Sequence, residues 1–326
     1  MIRLLLVVSI LLFAFGYSEL FSVVTIDRNY ILSPLKSSST TNDSDFFTFT
    51  GAVAEFGKYL PEPYTDFNHF WVSKAAVFGE IYRYRNSFSI TLFSDIELIS
   101  SSNSIIFFDP RAFYWQEGIL LSHKYDIFNF QFSFTHRCKH DVDNADIVSL
   151  SNEVRARVII WDSLWFRVFT DHLIIHSFDN SIVLKGVPFV RSDFYILAVD
   201  SSVWYRTVPF TSYSTYSDYK VNRIVGSVSF GGVLDLELGK NFGFYFKAYQ
   251  WYDFLADNEI WNWSRIRDVI GEYYLELAFY VRNGGMRMFF FIQNNFQRDP
   301  AIEPYDQGSV NLIHFGLKAI DERFSF

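Results

Sequence analysis

The sequence predicts an all-β protein: a transmembrane antiparallel up-and-down β-barrel of about 14 strands, with 12 as the alternative count. Three observations predict it. Short polar turns recur at Asn86, Tyr125, Asp162, Ser201, Lys240 and Asn283, spaced 39, 37, 39, 39 and 43 residues apart, and the segments between them alternate apolar and polar side chains. Two tilted strands, a tight turn at one end and a longer loop at the other use up such a period, and strands of about 10 residues cross a bilayer. Second, aromatic residues make up 20% of the chain, with 38 Phe, 20 Tyr and 8 Trp, and charged residues another 20%. A wall with one lipid face and one watery face averages to such a composition. Third, beyond the N-terminus no uninterrupted apolar stretch reaches the length of a spanning helix, so insertion there has to use strands closed into a barrel. A propeller also repeats near 40 residues, but each of its blades packs four short strands, and here each period holds two long ones.

The elements follow in order. Arg3 precedes an apolar run from Leu4 to Phe15, and Gly16 and Ser18 sit at the −3 and −1 positions of a cleavage before Glu19. This is the three-part layout of a secretory signal peptide over residues 1–18. The run of about 12 apolar residues is too short for a membrane anchor. Residues 19–45 contain Ser-Ser-Ser-Thr-Thr-Asn-Asp-Ser and read as a linker or periplasmic tail. The barrel occupies 46–326. Its first strand runs from about Phe46 to Gly57, six hairpins follow on the short turns, and a last strand starts near Ser309. An even count places both ends in the periplasm and the longer loops outside, near 58–69, 100–110, 139–149, 176–185, 211–218, 255–265 and 298–308.

Strand faces follow from side-chain parity. In Ile127 to Arg137, Phe128, Phe130, Phe132 and Phe134 share the lipid face, while Asn129, Gln131, Ser133, Thr135 and Arg137 share the lumen. In Asn241 to Trp251, Phe242, Phe244, Phe246 and Ala248 face lipid, and Gly243, Tyr245, Lys247 and Tyr249 face inward.

Charge and cysteine content narrow the function. Without the signal, 27 basic residues face 36 acidic ones, a net charge of −9, which argues against nucleic acid as a partner. A single cysteine, Cys138, excludes an intramolecular disulfide framework.

The candidate site lies where the lipid-facing parity of Phe128 to Phe134 continues to His136, Cys138 and His140. The following acidic loop holds Asp141 and Asp143, and the next strand carries Asn152 on the parity of Val154 and Ala156. A loop centred near Ala145 sets Cys138 opposite Asn152, with His136 diagonal to it. Nucleophile, base and base-orienting amide then meet on the outer wall, with His136, Cys138 and Asn152 as the candidate catalytic set. His136, His140 and Asp143, together with Cys138 and Asp141, offer donor types suited to a transition metal, without a structural zinc spacing. The expectation for cofactors is none, a divalent cation being the exception. The competing view is that these side chains are interfacial girdle residues.

Two resemblances bear on these residues. Thr135-His136-Arg137-Cys138 resembles the His-x-Ser element of outer-membrane phospholipase A and of the lipid A deacylase barrels, with Cys138 at the serine position and Asn152 placed like the third member. A longer stretch resembles bacterial outer-membrane barrels of unknown function that carry His-x-Ser-x-His-x-x-Asp-Glu. His136, His140 and Asp143 fall on that pattern, Cys138 stands for Ser and Asn144 for Glu, and Pro304-Tyr305-Asp306-Gln307 with Phe315-Gly316-Leu317 is similar to that family's last loop and strand. Phe324 and Phe326 resemble the aromatic end by which such barrels are recognised for assembly. These likenesses imply a Gram-negative outer membrane, with its lipid, its lipopolysaccharide and the barrel-assembly machinery as partners. The expected function is a non-enzymatic, porin-like channel or envelope component, and the alternative is an acyl hydrolase acting on phospholipid or lipid A.

Overall fold

The computed structural model describes residues 44–60, 71–85, 87–100, 110–141, 153–171, 173–178, 181–206, 216–218, 223–256, 266–283, 285–297 and 310–321. The expected signal peptide, most of the expected linker, Phe324 and Phe326 lie outside them. The strands are β1 (Ser44–Tyr59), β2 (Trp71–Tyr84), β3 (Phe88–Ser100), β4 (Pro110–Tyr125), β5 (Phe128–Asp141), β6 (Glu153–Thr170), β7 (Leu173–Phe178), β8 (Ile182–Arg206), β9 (Tyr216–Asp218), β10 (Arg223–Leu238), β11 (Phe242–Ala256), β12 (Ile266–Asn283), β13 (Met286–Gln297) and β14 (Val310–Asp321).

All pairings are antiparallel, and twelve strands close a barrel in chain order, β7 and β9 standing outside the circuit. Closure comes from β1 against β14, with Val53 opposite Ile320 and Tyr59 opposite His314. The two short strands both pair with β8, one near each end. The barrel proper thus has the alternative count of 12, and the two additional strands make 14.

The turns explain the difference. Four of the expected turns fall at hairpin ends: β2 ends at Tyr84 and β3 starts at Phe88, Tyr125 and Asn283 are the last residues of β4 and β12, and Lys240 lies between β10 and β11. Arg85, Asp126, Gly239 and Gly285 have positive φ there, as tight hairpin turns demand. Asp162 and Ser201 instead lie within β6 and β8. Asp162-Ser163 looks like a turn dipeptide, but the lumen parity of Trp161, Ser163, Trp165, Arg167 and Phe169 runs straight through it, and all five are buried. Only a register shift against β8 marks the spot. The chain reverses after Phe178, beyond β7. Asp171 N donates to Ile127 O at 2.8 Å, and Gly239 N to Ser181 O at 2.5 Å. The segment 176–185, expected outside, therefore belongs to the rim of short turns, and Ser201 belongs to the opposite end, where it pairs with Asp218 of β9.

The parity assignment holds on both faces except at Ala248, expected to face lipid and only 1% exposed. Phe128, Phe132, Phe134, Phe242 and Phe244 are exposed, whereas Asn129, Gln131, Ser133, Thr135, Arg137, Tyr245, Lys247 and Tyr249 are buried. An outward belt of Phe, Ile, Leu and Val cannot face water over so large an area, and its solvent is hydrocarbon. Among the described residues, the lumen-facing side chains pack against one another. Arg137 and Tyr245 are each 1% exposed and Tyr274 2%. Tyr249 stacks on Tyr274 at 4.8 Å between ring centroids.

Several of the charges inside are paired. Asp235 accepts from Tyr280 Oη at 2.8 Å and from Arg287 Nη1 at 2.9 Å. Asp193 is chelated by Arg191 through Nε at 2.9 Å and Nη2 at 2.6 Å. Lys318 Nζ lies 2.5 Å from Glu276 Oε1, and Lys74 Nζ lies 3.1 Å from Glu97 Oε2. Buried charges persist only when paired in this way.

Candidate functional site

The outer-wall site forms where β4, β5 and β6 run side by side. Glu117, His136 and Asp162 stand directly opposite one another across the three strands. On β5 the outward parity carries His136 beyond the phenylalanines. His136 Nδ1 lies 2.6 Å from Asp162 Oδ1, with the side chains 31% and 24% exposed. A carboxylate accepts only, so Nδ1 carries the hydrogen and donates it. In the neutral ring, that tautomer leaves the lone pair on Nε2. Glu117, on the other flank, is exposed.

Cys138 follows His136 by two residues on the same face, yet it is only 2% exposed. Its register neighbours are Trp115 on β4 and Ile160 on β6. Buried in this way, the thiol is shielded from approach. His140 pairs with Phe113 and Val158 in the same ladder. Its side chain, and the residues Asp143 and Asn152, lie outside the described part. Among the described residues no three His, Cys, Asp or Glu side chains come together as a metal site.

The histidine and the thiol are thus where parity puts them, and a residue absent from the expected set, Asp162, holds the imidazole. Its signal lay in the sequence: in the outward series Ile160, Asp162, Leu164, Phe166 and Val168 one carboxylate interrupts an apolar face. Reading Asp162 as a turn removed it from that series, and Glu117 interrupts Trp115, Ile119 and Leu121 in the same way.

No family model matches the chain. No curated protein matches it either. Among solved structures it is similar to the translocator domain of the autotransporter NalP from Neisseria meningitidis, at 11% identity and a TM-score of 0.37 over 84% of this chain and 87% of that one. It is similar to LpxR from Salmonella typhimurium at 6% identity and a TM-score of 0.44, covering 84% of this chain and all of that one. It is also similar to outer membrane phospholipase A from Escherichia coli, at 9% identity and a TM-score of 0.37 over 84% and 93% of the two chains. In fold, the barrel resembles bacterial outer-membrane proteins.

Proposed function

We propose that this chain is an envelope component of a bacterial outer membrane whose lumen is closed by its own side chains. Its partners on this reading are outer-membrane lipid, lipopolysaccharide and the machinery that assembles barrels. The observation that carries it is the filled interior. The lumen residues Gln131, Arg137, Arg167, Arg191, Tyr245, Lys247, Tyr274 and Glu276 are all buried. A solute channel needs the reverse, a polar wall in contact with water. Liposomes containing the purified protein should therefore not swell in small sugars, in contrast to liposomes containing an open porin. Swelling at porin-like rates would defeat the closed-lumen reading.

A second reading, acyl hydrolysis of phospholipid or lipid A, is favoured by one observation: the 2.6 Å contact of His136 with Asp162 on the outward face. Leaflet lipid reaches that face without entering a pore. In this reading His136 takes the proton of the Cys138 thiol, the thiolate attacks an ester carbonyl, and the ester's alcohol leaves with the proton returned by His136. Water deprotonated by His136 then cleaves the thioester to free the fatty acid and restore the thiol, with Asp162 positioning the imidazole. Purified barrel in mixed micelles should then release fatty acid. Release should vanish in Cys138→Ala and His136→Ala and fall roughly 10- to 100-fold in Asp162→Ala, whose lost contribution is orientation and charge rather than the base itself. No release under any divalent-cation condition removes this reading and leaves the first intact.

A further inference from the structure

The outward wall is not uniformly convex. Across β11 to β2 it carries a cavity of about 600 Å³ with almost wholly apolar lining, within the range of ligand pockets, about 300–1,000 Å³. Its walls include Phe56, Phe279, Phe290 and Phe315, and its floor includes Gly57 and Gly316.

The floor is built by backbone. Gly57 and Gly316 stand opposite each other where β1 closes on β14. A Cβ on Gly316 would lie 2.1 Å from Phe56 O and 2.6 Å from Gly57 Cα, so no larger residue fits without displacing the closing strands. Two parallel ridges flank this floor. One runs through Phe279, Phe290, Leu317 and Phe56, the other through Leu277, Ile292, Phe315 and Lys58, and each follows the register across neighbouring strands. The groove between them lies on the outward, lipid-facing wall.

One end of the second ridge is cationic. Lys58 pairs with Trp71 across β1 and β2, and its Nζ lies 5.3 Å from the centre of the Trp71 ring. Both residues sit where β1 ends and β2 begins, at the rim opposite the short turns. A Lys and Trp pair at that level meets lipid headgroups.

We propose that this groove seats one acyl chain of an anionic membrane lipid, with Lys58 and Trp71 at the headgroup phosphate. The inference rests on the reading of the outer wall as lipid-facing and is independent of the hydrolase reading, since His136 lies on β5, well around the barrel. Phospholipid and lipid A share the required chemistry of hydrocarbon chain plus phosphate. The test is native mass spectrometry of the full barrel, released from micelles doped in turn with phosphatidylglycerol, lipid A and phosphatidylcholine. One molecule of phosphatidylglycerol or of lipid A should stay bound at least 10-fold more often than phosphatidylcholine, and whichever is retained identifies the source.

Leu277→Trp, which fills the groove from an exposed position, should cut retention at least 10-fold, and Ile292→Trp serves the same purpose if the first variant does not fold. Phe134→Trp on the far wall should retain lipid like the parent. Lys58→Gln should keep the chain but lose the preference for phosphatidylglycerol over phosphatidylcholine. Equal retention of all three lipids, undiminished retention in the folded groove-filling variant, or an unchanged preference in Lys58→Gln would overturn the proposal. Fold loss is read separately from the heat-modifiable band, so a failed barrel is not mistaken for an empty groove.

Discussion

Asp235 and Asp162 both accept from a cationic or titratable partner, and burial makes them unequal. Asp235 is 1% exposed and serves Tyr280 and Arg287 together. Asp235→Ala leaves a guanidinium and a phenol without that acceptor in the interior, at a cost of about 3–5 kcal/mol. Pairing Asp235→Leu with Arg287→Met should restore most of that loss, because two apolar side chains demand no compensation. Urea titration of the folded band in micelles measures both. Asp162, a quarter exposed beside His136, is a different case. Its loss from the outward wall is read as folded yield in the same titration, so that activity per folded barrel of Asp162→Ala reports on chemistry rather than folding. At this scale His136 and Cys138 were legible from parity alone. The burial of Cys138 was not, since it depends on the neighbours Trp115 and Ile160, which only the register supplies.

Strands β6 and β8 carry the main departure from the sequence reading. A strand is recognised by alternation and a turn by polar residues, and at Asp162-Ser163 and Asp200-Ser201-Ser202 the two signals conflict. Alternation prevails where each polar residue has its own place on a face. Asp162 meets His136 outside, and Ser163 is buried inside. The merged strands shift the labelling pattern. In a Cys138→Ala background, cysteine at Ser201 should react with an impermeant reagent on intact cells, and cysteine at Ser181 should react only after the outer membrane is opened. The reverse pattern would turn the barrel upside down.

On β5 the two faces are as the alternation of Phe with Asn, Gln, Ser and Thr predicts, and they differ in tolerance. Phe132 is exposed on the outward face, so Phe132→Arg should cost roughly 2–4 kcal/mol of folding free energy if it lies near the bilayer midplane, whereas Phe132→Leu should be nearly neutral. Equal yields of folded barrel from the two variants would mean that this face does not meet hydrocarbon.

In the whole molecule, barrel closure, antiparallel order and the inward-outward pattern were legible because they repeat along every strand. The state of the lumen was not. Lumen-facing Gln131, Arg137, Tyr245 and Lys247 are polar or amphipathic by sequence whether they line water or fill a core, and only their packing across the barrel decides. Planar-bilayer recording of the purified full chain tests that packing most directly. The parent should show no steps of open-porin conductance, while Arg137→Gly combined with Tyr245→Gly and Tyr274→Gly should open discrete steps by removing three of the largest fully buried side chains. Steady porin-like steps from the parent, unchanged in the triple variant, would contradict a lumen closed by its own side chains.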